Sequence, residues 1–404
     1  MELPHASKAA RFISESDFVR VVAHHDADGI STAGIVCRMV LASEGRYHSR
    51  IIEDPSEVSE HASEDTPTIF CDLGAAYLDQ LPGNTVVIDH HPQRGEAEYE
   101  GTLVTPRYID QEASSSCAAY VVARSLGVKL ADIALVGAIG DDILYDDLVR
   151  EVIERGVEDG VIEVGEGIRL VGDNPAEALA YSTDPYTEYS GDFKGARNFL
   201  NDRGLGGSIG EMDENQLSRF STSVVLLATK NENASVETIE SLVGEKYTLT
   251  QAPVRDAHTL SSYIEACGKM DKGGLGLSLC VGEGDTEEVK RVYRSFQSNL
   301  IETIENVDVN EGDPTVVRVE TDFDTGPVAD VFHRWITGER GDVIVINTDG
   351  HASMRSRTTD AGECMRESAS RVGGTGGGHP SRGGANVPKQ KISEFTRIVR
   401  SYAG

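Results

Sequence analysis

The chain has 404 residues, 39% of them hydrophobic and 26% charged, an ordinary globular composition that excludes a wholly disordered protein and allows two or three domains with cores of their own. Acids outnumber bases 67 to 37, and the resulting formal charge of −30 points to a heavily solvated acidic surface and argues against avid binding to long polyanions. No run approaches the ~18 apolar residues of a membrane span, no apolar h-region opens the chain, and six cysteines without a CxxC fit neither a disulfide framework nor a zinc site, so a reduced cytoplasmic protein with no membrane association is expected.

The first 150 residues alternate short apolar runs with helical patterns. Strands are expected at 18–23 (FVRVVA), 68–71 (TIFC) and 85–88 (TVVI), and helices at 30–42, 112–126 and 130–140. Buried β-branched runs alternating with helices indicate a parallel sheet. The polar residues after its strands converge on the usual ligand crevice of such sheets. From 150 to 300 the pattern is mostly helical, with a turn-rich loop at 181–192 and helices at 216–229, 235–243, 254–267 and 286–307; Gly273–Gly274 reads as a break. Tyr181, Tyr186 and Tyr189 in that loop are packing residues or, alternatively, platforms for stacked bases. A second α/β unit follows, with strands at 315–320, 342–347 and 351–357, helices at 328–337, 362–372 and 392–402, and a glycine-rich loop GGTGGGHPSRGG.

Four of these segments end in potential ligands. HHDADG places His24, Asp26 and Asp28 within five residues, followed by Gly29, which permits a tight turn. Asp72 follows the second apolar run, Asp89–His90–His91 follow the third, and Asp141–Asp142 close a further apolar stretch; either of the last pair could be the ligand. The set holds enough carboxylates and imidazoles for two divalent metals with one bridging carboxylate. Two such ions can activate a water and clamp a phosphate for in-line displacement. Mixed N/O ligands suit manganese or zinc better than calcium, with magnesium as an alternative.

The far end supplies a complement. Residues 351–404 hold nine Lys/Arg against four Asp/Glu, a local +5 that leaves −35 on the other 350. Gly376, Gly377 and Gly378 offer unobstructed backbone N–H groups, without the GK[ST] of a P-loop. Arg355, Arg357 and Arg382 are of the type that grips phosphate bidentately.

In this order, HxDxDG at 24–29, DLG at 72–74, DHH at 89–91 and GAIGD at 137–141 resemble the four motifs of DHH phosphoesterases, and SMRSR followed by GGGHPSRGG resembles the DHH-associated C-terminal domain. The stretch RDAHTLSSYIEACGKMDKGGLGLSLCVGEGD is similar to an archaeal RecJ segment ending in a Cys-Gly-Arg-type motif, with Lys269 in place of Arg. The resemblance implies an α/β protein with a parallel-sheet DHH domain at 1–190, a mostly helical segment at 191–307, a smaller substrate-binding domain at 308–404, and the active site in the cleft between domains. It implies His24 and Asp26 on one metal, Asp28, His90 and Asp141 on the other, and Asp72 bridging. Asp89 would orient the His pair and act with His91 and His379 in catalysis. His91 would contact the scissile phosphate, while His379, Arg355, Arg357, Arg382 and the Gly376–Gly377–Gly378 run would hold substrate. The implied activity is a manganese-dependent exonuclease on single-stranded DNA or RNA, with Mg2+ or Co2+ as alternative ions. A phosphodiesterase for small molecules or short oligonucleotides, of nanoRNase or cyclic-dinucleotide type, is the alternative enzyme. A component of a GINS-associated replication complex is the alternative of a different class.

Overall fold

The apolar runs at 18–23, 68–71 and 85–88 are strands, and two more complete their sheet. The computed structural model describes residues 2–95, 98–310, 312, 314–338 and 341–403, and these divide into a first unit of 1–165 with 245–293 and a second of 166–244 with 294–404. In the first unit the order is α1 (Ala6–Ser14), β1 (Phe18–His24), α2 (Ala27–Ala42), β2 (Arg46–Ile52), β3 (Thr68–Cys71), β4 (Thr85–Ile88), β5 (Thr102–Val104), α3 (Ser115–Ser125), α4 (Ala131–Gly140) and α5 (Asp147–Glu158). All five strands are parallel, in the order β2-β1-β3-β4-β5. β3 and β4 are buried along their whole length, which is why they read as unbroken apolar runs.

Register sets up the site. Ala23 stands opposite Cys71, and Cys71 opposite Ile88, so β3 and β4 end level with Ala23, one residue before β1 ends. The next residues are His24, Asp72 and Asp89. The chain steps from β1 to one side for β2 and to the other for β3, so His24 and Asp72 flank the topological switch point, where open α/β sheets form a crevice. α2 starts three residues before the predicted helix because Asp26 caps it, accepting the Gly29 N–H at 2.9 Å. α3 starts at Ser115 because Ser114 supplies its cap.

The chain continues through α6 (Phe193–Asn201) and α7 (Glu214–Ala228) in the second unit, where Leu179, Leu200, Phe220 and Val224 form a buried cluster. Tyr189 packs on that cluster and its ring lies 5.0 Å from that of Phe199, which makes it a packing residue. The helix expected at 235–243 is only Val236–Glu240. Back in the first unit come α8 (Ala257–Lys269) and α9 (Gly273–Val281), and α10 (Thr286–Glu305) follows. Gly273 and Gly274 form the first turn of α9 rather than a break. A side chain at Gly273 would press into Ile51, so close packing on β2 accounts for the glycine there.

The rest of the second unit comprises β6 (Asp308–Asn310), β7 (Thr315–Val319), α11 (Thr325–Val331), β8 (Val343–Asn347), β9 (His351–Arg355), α12 (Ala361–Arg371), β10 (Thr375–His379), β11 (Arg382–Asn386) and α13 (Ile392–Ala403). The sheet order is β10-β11-β9-β8-β7-β6, with only β7 and β8 parallel. Ile344, Met354, Met365, Phe395 and Val399 pack between this sheet and α12 and α13. α11 continues into a single π turn, Phe332–Ile336, which completes the helix expected at 328–337.

The glycine-rich segment is a β-hairpin, β10 and β11, and not a loop. A Cβ on Gly376 would collide with the carbonyl oxygen of Met365, and one on Gly383 with that of Ala361. The hairpin lies on the α12 backbone, an approach that only glycine permits, and its low strand propensity hid the ladder from a reading of composition.

Candidate metal centre

The adjacent ends of β1, β3 and β4 bring the predicted ligands together. His24, Asp26 and Asp72 form one group of donors, Asp28, His90 and Asp141 a second, and Asp72, His90 and His91 a third, with the donor atoms of each group within 4.8 Å of one another. Asp72 and His90 each belong to two groups. Asp72 Oδ2 lies 3.5 Å from His24 Nδ1, and its Oδ1 lies 3.5 Å from His90 Nε2 and 3.7 Å from His91 Nδ1. A φ of 60° at Asp72 takes the backbone out of the strand conformation directly after β3. Of the Asp141–Asp142 pair, Asp141 enters the cluster, its Oδ2 lying 3.6 Å from His90 Nε2. Asp142 is exposed, in a left-handed turn with φ 59°.

Asp26 and Asp89 each do two things. Asp26 Oδ2 lies 2.6 Å from His24 Nδ1 while Oδ1 caps α2. Asp89 Oδ1 accepts from His91 through both backbone N–H and Nδ1, each at 2.9 Å, and Oδ2 accepts the Ala75 N–H at 2.8 Å. Burial alone would lower the His91 imidazole. The Asp89 charge and hydrogen bond outweigh it, with Asp72 adding to them, and push it up to about 9. Burial likewise opposes ionisation of Asp26, but His24 beside it holds that carboxyl below the usual range.

The inner carboxyls behave in the opposite way. Burial first, then the neighbouring Asp26 and Asp28, push Asp72 well above the ordinary carboxylate range. Burial and then Asp28 and Asp72 do the same to Asp141. Asp28 is pushed up to about 6 by burial, although Ser116 opposes it. Asp141 Oδ2 is buried without a hydrogen-bond partner among the described residues. Buried carboxylates that repel one another, interleaved with imidazoles, are a donor set that fits divalent cations taking N and O ligands.

Residues that the motifs do not include hold this set in place. The first turn of α3 donates to Asp28: Ser115 N–H at 2.7 Å and Ser116 N–H at 3.0 Å. From α8, Glu265 Oε2 accepts the Ala27 N–H at 2.7 Å and Lys269 Nζ lies 3.0 Å from His25 Nε2. A Cβ on Gly268 would overlap the His25 carbonyl oxygen, so α8 bears directly on the 24–29 turn. The Ser114–Ser115–Ser116 triplet before an apolar helical run was the available signal for α3; Glu265 and Lys269, spaced i,i+4, look like any exposed helical ion pair.

In the second unit Arg355 stands opposite Arg382, and Arg382 opposite His379, so the three form a row across β9, β11 and β10 on one face. Arg355 is largely consumed there. Its Nε and Nη2 bind Asp330 at 2.6 and 3.0 Å, and Nη2 also reaches the Gly326 carbonyl at 3.2 Å. Arg382 lies 3.8 Å from the same Asp330 and is 45% exposed, and His379 is exposed at the hairpin end. Arg357 is exposed, two residues beyond β9 and outside the row. Gly376 and Gly378 face backbone, whereas nothing stands over Gly377.

Residues 312–404 match the family model of the DHHA1 domain. Over its whole length the chain is similar to an uncharacterized protein of Methanocaldococcus jannaschii, MJ0831, with 25% identity over 438 aligned residues and 98% of that relative covered. Its structure is similar to a RecJ of Thermus thermophilus in complex with Mn2+, with a TM-score of 0.63 and 18% identity over 100% of this chain, which spans only 55% of that RecJ. It is also similar to CDC45 from Entamoeba histolytica, with a TM-score of 0.63 and 10% identity over 98% of both chains. The C-terminal residues match a DHHA1 domain, and the fold of the chain is similar to that of RecJ. More particularly, the parallel sheet of the first unit and the mixed sheet of the second, each taken by itself, match those of the RecJ fold.

Proposed function

We propose that the chain is a metal-dependent phosphodiester hydrolase, a RecJ-like exonuclease on single-stranded nucleic acid. The observation that carries this reading is the sharing of Asp72 and His90 among three overlapping donor groups, an arrangement suited to two ions and one bridging carboxylate. His24 and Asp26 would hold one ion, and Asp28, His90 and Asp141 the other. Bound there, two divalent ions supply an activated water and neutralise charge on the phosphoryl oxygens. Asp89 orients His91 through Nδ1 and raises its imidazole, and His91 would donate to an oxygen of the scissile phosphate. Arg382 and His379, exposed on one face of the second sheet, would bind phosphate groups of the substrate. The likeness to a RecJ in complex with Mn2+ supports manganese as the ion.

The test is hydrolysis of 5′- and 3′-labelled single strands with Mn2+, with and without chelator, by the parent and by Asp72→Ala. Stepwise shortening that chelator abolishes is expected. Full turnover after exhaustive chelation, or in Asp72→Ala, would overturn the reading.

A further inference from the structure

At the sheet edge opposite the glycine hairpin, β6, β7 and α13 border a cavity of about 190 Å3. Arg318 on β7, Arg397 and Arg400 on α13, Asn310 on β6, and the hydroxyl residues Ser393 and Thr396 line it. Residues 393, 396, 397 and 400 share one helical face at i, i+3, i+4 and i+7 spacing. In a chain of charge −30, three guanidinium groups around one small cavity are conspicuous.

Their partners do not account for them. Arg318 and Arg397 make no hydrogen bond or ion pair among the described residues, although the Arg397 charge acts on Glu394. Arg400 is held by Asn310, its Nη2 donating to both the carbonyl oxygen and Oδ1 at 3.1 Å, while its buried Nε has no partner among the described residues. No carboxylate is among the described residues that line the cavity, and two lie near its elements. Glu394, on the same helix, is paired with Lys391 at 2.7 Å, and Asp308 stands opposite Arg318 in the strand register without forming an ion pair. Ser393 is exposed, with a hydroxyl that no described residue engages.

We infer that this cavity is an oxyanion site that takes the phosphate group of a nucleotide or of a phosphodiester backbone. Three convergent guanidinium groups repel one another unless an anion lies between them. A tetrahedral phosphate matches their forked donors, and Ser393 adds a neutral donor. The volume, about six waters' worth, leaves room for a substituent on the phosphate. The inference is independent of the proposed hydrolysis, because the cavity lies at the other edge of the sheet from Arg382 and His379.

The experiment is done in chelator with the full chain carrying Arg382→Ala, so that neither the metal centre nor the opposite edge reports. Affinities for inorganic phosphate, uridine 5′-monophosphate and a fluorescent 12-residue oligothymidine are measured for this protein, for R318Q/R397Q in it, and for R366Q/R371Q as a charge-matched control on α12. Both target arginines are exposed, and R397Q alone serves if the pair does not fold. At least tenfold weaker binding of the phosphate probes is expected for R318Q/R397Q, with less than twofold change in the control. Loss confined to phosphate and the mononucleotide assigns the site to a small ligand, and loss extending to the oligothymidine assigns it to a backbone. Equal binding by both variants, equal loss in both, or no binding of any probe overturns the inference.

Discussion

Ser115 Oγ donates to Asp72 Oδ1 at 2.8 Å while accepting the backbone N–H of His90 at 3.0 Å. One hydroxyl therefore joins the residue after β3 to the residues after β4. Because the Ser115 N–H also donates to Asp28 at 2.7 Å, the first turn of α3 touches both donor groups assigned to metal. Helix N-termini stabilise anions, and here the anion is the protein's own carboxylate.

Ser115→Ala is expected to keep the fold and to weaken Mn2+ binding by about tenfold to a hundredfold, the usual cost of removing a partner that orients a ligand. The measurement is a Mn2+ titration followed by electron paramagnetic resonance, which does not depend on turnover. Ser115→Thr, which keeps the hydroxyl, should recover part of the loss. Unchanged affinity in the alanine variant would show that the serine only caps the helix.

Asp72→Asn separates stability from chemistry. The carboxylate is buried beside Asp26 and Asp28, which repel it, and the amide keeps an acceptor for Ser115. In chelator the variant should therefore melt at or above the parent temperature. With Mn2+ it should bind fewer ions, and turnover should fall on the order of 10³. A variant that melts well below the parent in chelator would mean that Asp72 holds the fold through contacts other than those described.

How much of this was readable beforehand follows from what each residue does. His24, Asp72 and the Asp89–His90 pair each follow an apolar β-branched run, so strand and candidate donors announce themselves together. Their grouping needs only the rule that ligands collect at the carboxyl ends of parallel strands. Ser115 and Glu265 were not readable as site residues. Both act through hydrogen bonds across 43 and 238 positions of sequence, and no local pattern encodes such a contact. The hairpin of β10 and β11 was misread for the opposite reason. Its glycines look like a flexible loop, yet Gly376 and Gly383 are there because α12 backbone lies where their side chains would be. The Arg355 ion pair was not readable locally, because its partner Asp330 is 25 residues away.

Gly268→Ala tests the hold that α8 has on the ligand turn. The added methyl overlaps the His25 carbonyl oxygen, a backbone atom that moves only if the 24–29 turn moves. A loss of about 1–3 kcal/mol in denaturant unfolding is expected, as for overpacked cores generally. Mn2+ affinity should fall with it, since His24, Asp26 and Asp28 lie in the displaced turn. Lys269→Met, which leaves the backbone contact intact, should cost less in both measurements. Equal stability of parent and Gly268→Ala would mean that α8 yields more easily than its packing implies.

Arg355, Arg382 and His379 form one row but are expected to differ sharply when replaced. Arg355→Ala removes a two-pronged ion pair with Asp330, whose carboxyl is held low against its burial, first by Arg355 and then by Arg382. Charged hydrogen bonds of this kind contribute about 1.5–3 kcal/mol. The Asp330 side chain is 35% exposed, and solvent screening reduces the expected loss to about 1–2 kcal/mol. Arg382→Ala and His379→Ala, at exposed positions, should leave stability within about 0.5 kcal/mol of the parent. Turnover should respond in the other order. Arg382→Ala should mainly raise KM if its phosphate contact is equal in ground and transition states, and His379→Ala should lower kcat if it acts on the reacting phosphate. Urea melts and steady-state kinetics on a short oligonucleotide separate the two effects. An Arg355→Ala protein that melts like the parent yet shows the largest rise in KM would return Arg355 to the substrate and leave Asp330 a bystander.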